Sequence, residues 1–184
     1  MEAFLVSTGI VALAEMGDKT QLLSLMLAAR FRKPWPIILG ILISTLANHA
    51  GAGAIGAWVA GLMGPELSWV LAASFLVMAG WVLIPDKLDD TEGDKGNFGV
   101  LLTTVIAFFL AEMGDKTQIA TVALAARYDS LVSVVAGTTL GMMLANVPVV
   151  LMGDRLMRYV PVRKIHFFVA LLFVAMAVIT LVWK

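Results

Sequence analysis

Apolar residues run almost continuously along this chain, interrupted at intervals by short polar stretches, and the runs are long enough to be membrane spans. Six can be read, from Ala3 to Ala29, Pro34 to Met63, Leu67 to Ile84, Phe98 to Ala126, Leu131 to Gly153 and Val162 to Trp183. A helix needs about 20 apolar residues to cross a bilayer, and each run approaches or exceeds that length. None shows the two-residue alternation of a transmembrane strand, so a barrel is excluded. The expected fold is an all-α integral membrane protein with six transmembrane helices.

The polar interruptions divide the chain into two related halves. A shift of 97 positions lays Ala14-Glu15-Met16-Gly17-Asp18-Lys19-Thr20-Gln21 on an identical Ala111-Glu112-Met113-Gly114-Asp115-Lys116-Thr117-Gln118, and Leu27 to Arg30 on Leu124 to Arg127. One more residue of shift aligns Leu46-Ala47-Asn48 with Leu144-Ala145-Asn146. Three spans per half is an odd number, so the second half enters the membrane from the opposite side. The halves, residues 1–85 and 98–184, are therefore expected to form inverted three-helix repeats within one membrane domain, as in many secondary transporters. The acidic, glycine-containing stretch at 86–97 reads as the solvated linker between them.

Composition supports the membrane assignment: 60% of residues are apolar and 14% charged, against about half and about a quarter in soluble domains. The N-terminus carries no basic leader and its apolar run holds the repeated motif, so the first span is expected to persist in the mature protein. Cysteine is absent, which removes thiolate metal sites and disulfides, and a net charge of zero offers nothing to nucleic acid. Loop charges set the orientation. Arg30, Arg32, Lys33, Lys87, Lys95, Arg155, Arg158, Arg163 and Lys164 fall on the linker side, against Arg127 and Lys184 on the other. The linker is thus expected in the cytoplasm and both termini outside. Trp35, Trp69, Trp81 and Trp183 fall near span ends like interfacial aromatics, whereas Trp58 reads as packing.

Ionised residues in mid-membrane are costly and mark function. On an unbroken helix Glu15, Asp18 and Lys19 share a face, as do Glu112, Asp115 and Lys116. Each motif would present a charged wedge near the midplane, and a twofold axis would bring the wedges together. Four carboxylates give minus four and Lys19 with Lys116 plus two, a residue of minus two that one divalent cation neutralises. Crowding and burial also favour protonated carboxylates, so metal and protons should compete for the site. Oxygen ligands without cysteine suit calcium, manganese or magnesium, and magnesium gives up water reluctantly. The choice between manganese and calcium stays open.

Secondary candidates follow from the repeat. Asn48 and Asn146 are read as completing the metal shell or, alternatively, as interhelical glue. Gln21 and Gln118 lie one turn beyond the aspartates. Thr20 and Thr117 point away from an intact helix, but local unwinding at Gly17 and Gly114 would return them to the site together with backbone carbonyls. Pro148 frees the Leu144 carbonyl. His49, opposite Val147 in the repeat, is either a pH-tuning group or a satisfied buried histidine, and His166 reads as interfacial. Gly51, Gly53, Gly56, Gly137 and Gly141 allow close helix approach, and the methionines are read as packing.

The doubled pattern E-x-G-D-[KR]-[ST] resembles the signature of the small cation/proton exchanger family, which includes bacterial manganese exporters of the MneA type and manganese/calcium exchangers of the Golgi and chloroplast. The resemblance spans essentially the whole chain. It implies export of manganese, or of calcium, from the cytoplasm in exchange for protons, with Glu15, Asp18, Glu112 and Asp115 as the acidic site and a bacterial cytoplasmic membrane as the location. The expected partners are the lipid bilayer, a divalent cation and protons; the metal is cargo rather than cofactor, and an oligomer is not required. A gated divalent-cation channel is the alternative of another class. No nucleophile constellation supports an enzyme.

Overall fold

A computed structural model describes residues 1–84, 99–128, 130–153 and 161–182. The linker at 86–97 lies outside these residues, as do Phe98, Arg155, Arg158, Trp183 and Lys184. All regular structure among the described residues is helical: α1 Glu2–Ala14, α2 Lys19–Phe31, α3 Pro34–Leu62, α4 Leu67–Trp81, α5 Val100–Glu112, α6 Lys116–Tyr128, α7 Leu131–Met152 and α8 Val162–Val182. Three of them, α3, α7 and α8, are long and apolar enough to cross a membrane, while α1, α4 and α5 are apolar but shorter.

The expected first and fourth spans are each broken in two, and both breaks fall inside the repeated motif. The cause is local. Gly17 and Gly114 adopt left-handed backbone at φ 80° and 75°, a conformation that stops a helix and that glycine enters without Cβ strain. The next residue starts a new helix as its N-cap: Asp18 accepts from the Lys19 backbone N–H at 3.0 Å and Asp115 from that of Lys116 at 2.8 Å. Three residues on, the glutamines reach back. Gln21 Oε1 accepts from Gly17 N–H and Gln118 Oε1 from Gly114 N–H, each at 2.7 Å. This variant of the capping box satisfies backbone donors that would otherwise be orphaned.

Packing crosses between the halves. α7 lies against α1 and α2, whereas α3 lies against α5 and α6, so each motif segment is backed by the asparagine-bearing helix of the other repeat. α3 also contacts α7, and α4 pairs with α8 through stacked Phe75 and Phe173, centroids 6.3 Å apart. Small residues permit the close crossings: a Cβ at Gly141 would stand 2.7 Å from the Thr8 carbonyl oxygen on α1, and one at Gly137 would stand 2.5 Å from that of Phe4. Gly56 meets the Val122 backbone of α6, and Gly53 meets Leu131 and Val135. Gly51 does not share this role, because nothing lies within 4 Å of its missing side chain.

Large apolar side chains cover the outside, among them Leu39, Leu46, Ile55, Leu76, Leu140 and Val178. Trp58 is also exposed, near the end of α3 beside solvent-facing Leu62, which corrects its reading as a packing residue. The interior combines two apolar clusters with a buried polar set that includes Glu15, Asp18, Asn48, Glu112, Asp115, Lys116 and Asn146. Large apolar side chains outside and ionisable groups held inside are what a lipid surrounding favours.

Candidate metal centre

The two breaks meet in the interior. Carboxylate oxygens of Glu15, Asp18 and Asp115 lie within 4.8 Å of one another, so acids from both halves share one buried position. The lysines cross-pair over the same space: Lys116 Nζ stands 3.2 Å from Asp18 Oδ1, and Lys19 Nζ stands 3.8 Å from Asp115 Oδ1. The first pair is fully buried, whereas Lys19 retains 19% exposure. The charged wedge of an unbroken helix is thereby corrected to a lattice of acids and bases exchanged between repeats.

Helix ends reinforce this arrangement. The N-termini of α2 and α6 carry partial positive charge and stabilise the capping aspartates. The carbonyls at the ends of α1 and α5 stay within their turns: those of Glu15 and Glu112 accept from the N–H groups of Asp18 and Asp115.

Glu112 stands apart from the trio. Its Oε1 accepts from Thr45 Oγ1 at 2.8 Å, and its Oε2 lies 3.4 Å from Asn48 Nδ2, which also donates to the Phe109 carbonyl at 3.2 Å. Glu112 remains within electrostatic reach of Glu15 and Asp115. Glu15 has no equivalent clasp from α7. It accepts from Thr20 of its own motif, Thr117 approaches the same carboxylate, and among the described residues Glu15 Oε1 has no hydrogen-bond partner. The helix break thus returns the threonines to the centre.

The asparagines and glutamines divide as well. Asn48 joins Glu112 and lies 3.5 Å from Gln118 Nε2 through its Oδ1. Asn146 turns away from the acids, donating to the Met142 carbonyl at 3.1 Å and accepting from Ser24 Oγ at 2.8 Å. Gln21 Nε2 donates to the Ala145 carbonyl at 2.8 Å, beside the Leu144 carbonyl that Pro148 leaves without a helical donor. Glu15, Asp18 and Asp115 bring their carboxylates closest together, with Glu112 and Asn48 next to them. Gln21, Gln118 and Asn146 are engaged in hydrogen bonds to the backbone or to neighbouring side chains.

Three contributors escaped the sequence reading. Thr45 and Ser24 carry no charge to draw attention, though Thr45 sits at i−3 from Asn48 on one helix face. His166, expected at the interface, is buried and donates from Nε2 to the Met16 carbonyl at 2.7 Å, while Val162 packs on Gly17. The first break is thus backed by the start of α8, and Gly17, Arg163, Lys164 and His166 line a cavity there. The second break adjoins a separate cleft of about 270 Å³ lined by Asn48, Phe109, Met113 and Gln118.

A buried, oxygen-rich centre with more acids than bases, built from a repeated motif, is equipped to hold a cation. The sequence profile of the family described as "Divalent cation/proton antiporter GDT1" matches residues 3–90 and 100–184. This chain belongs to the GDT1 family. A Vibrio cholerae serotype O1 protein called "Putative manganese exporter" is 55% identical over 182 residues, covering 98% of this chain and 90% of the relative. A GDT1-like protein of Synechocystis sp. is 25% identical over 201 residues, covering 98% of this chain and 97% of its own. No solved structure matches the chain significantly. Membership makes the protein a divalent cation/proton antiporter, not a member of an enzyme family.

Proposed function

We propose that this antiporter exports manganese from the cytoplasm in exchange for protons, across a bacterial cytoplasmic membrane, with Glu15, Asp18, Glu112 and Asp115 as the shared binding site. The observation that carries this is the meeting of Glu15, Asp18 and Asp115 within 4.8 Å, contributed by both copies of the motif. The manganese assignment is supported by the Vibrio relative at 55% identity.

In this reading α1 with α2, and α5 with α6, each make one discontinuous span, giving six spans in two inverted halves joined by a cytoplasmic linker, with both termini outside. Lysine pairing holds the ion-free centre together. The four carboxylates and two lysines sum to minus two, so a divalent ion neutralises the centre and protons do the same in its absence. Only one cargo is favoured at a time, which is the electrostatic root of exchange. The two repeats are read as rocking against one another so that the centre opens to one side at a time, as alternating access requires.

Purified protein in proteoliposomes with a proton gradient tests this. Manganese flux and opposing proton flux are expected, and Glu15→Gln and Asp115→Asn should each abolish both. Undiminished exchange in the two variants would remove the site assignment. Flux without proton movement would make the protein a channel. The all-oxygen trio also suits calcium, so the same vesicles loaded with calcium decide between the two cargoes.

A further inference from the structure

His49 is a buried group with no role in the exchange described above. It follows Asn48 on α3, is fully buried, and holds Nε2 4.0 Å from Glu112 Oε2. Among the described residues neither ring nitrogen has a hydrogen-bond partner. Burying an imidazole without partners is costly and calls for an explanation. Its repeat counterpart is Val147, so symmetry does not require a histidine here.

The carboxylate it faces is the one that stands outside the trio. Thr45, Asn48 and His49 lie at i, i+3 and i+4 on α3 and surround Glu112 with a hydroxyl, an amide and an imidazole. The 4.0 Å gap is too long for a hydrogen bond. Ligand atoms held at about 2.0–2.2 Å by one ion stand roughly 3 to 4.3 Å apart, depending on the angle at the metal. The imidazole and carboxylate are close enough to share one ion, at a wide angle at the metal that a small rotation of either side chain narrows.

We propose that His49 Nε2 and Glu112 form a mixed nitrogen–oxygen coordination position beside the three carboxylates, which selects transition-metal ions, manganese among them, against calcium and magnesium. Manganese shares the oxygen preference of calcium and magnesium, but as a first-row transition ion it also accepts imidazole nitrogen, which the two hard alkaline-earth ions take far less readily. The proposal rests on the reading of this centre as a divalent-cation path and adds the determinant of selectivity.

Pulsed electron paramagnetic resonance of manganese bound to the purified full-length protein, with 14N- or 15N-labelled histidine, reads the contact directly. The chain has two histidines, so hyperfine coupling to imidazole nitrogen is expected in wild type and in His166→Gln and absent in His49→Gln. In vesicles, His49→Gln should lower the preference for manganese over calcium at least tenfold while calcium flux persists. Manganese bound with no imidazole coupling in wild type would overturn the proposal and leave the exchange reading standing, as would an unchanged preference in a folded His49→Gln. Absence of metal flux and metal binding in wild type would overturn both.

Discussion

Removing the charge of Lys116 should destabilise this protein far more than removing that of Lys19, although the two residues occupy identical positions in identical octapeptides. Lys116 and Asp18 are 1% and 0% exposed and 3.2 Å apart, so Lys116→Met strands a buried carboxylate beside two others. Breaking one side of a buried ion pair costs about 3–5 kcal/mol. Lys19 pairs at 3.8 Å with 19% of its side chain exposed against a buried Asp115, and a longer, partly exposed pair contributes less than a short buried one, nearer the roughly 0–1 kcal/mol of exposed pairs. At about 2–4 °C per kcal/mol for a chain of this size, Lys116→Met should lower the melting temperature in detergent by on the order of 10 °C, and Lys19→Met by no more than about 4 °C. The double variant Asp18→Asn with Lys116→Met removes both charges and should recover most of the loss. Manganese should protect Lys116→Met more than wild type, because the variant leaves minus four plus one, a net minus three, for the ion to offset. Equal losses for the two lysines, or a double variant no more stable than Lys116→Met alone, would refute the electrostatic reading of the centre.

Other substitutions probe the same architecture. Gly17→Ala and Gly114→Ala each force a side chain into left-handed backbone at about 1–2 kcal/mol, but only the Gly17 methyl also collides with Val162; thermal unfolding should show the greater loss at Gly17, with Val162→Ala closing the difference. Thr45→Val removes the donor to Glu112 Oε1 and should cost about 1–3 kcal/mol, while Thr45→Ser should retain both stability and exchange. Gly141→Leu should prevent α1 from seating on α7 and abolish folded protein by size-exclusion profile, whereas Gly51→Leu, at a position with nothing within 4 Å, should be tolerated.

The octapeptide itself pointed to a buried charged centre, because no soluble-domain explanation accounts for it between apolar flanks. The break in the helix was harder to foresee. Apolar periodicity continues through both motifs, and a lipid-buried span is expected to stay helical so that its backbone groups remain bonded. Yet Gly17-Asp18 followed by Gln21 is itself a stop and restart, with a glycine for the left-handed turn, an aspartate as N-cap and a glutamine to take the stranded N–H. The side chains supply the bonds that a continuous helix would have supplied, so the membrane constraint is met without the helix. What the motif could not disclose is the difference between its two copies. Since the octapeptides are identical, Glu15 and Glu112 can diverge only through their surroundings: on α3 Thr45, Asn48 and His49 face Glu112, where the aligned positions on α7 are Met143, Asn146 and Val147. One copy is left free to join a shared carboxylate cluster and the other is clasped by a neighbouring helix. The unequal flanks set two identical motifs in different surroundings, with Glu112 held by the hydroxyl and amide of α3 and Glu15 beside the aspartates of both repeats.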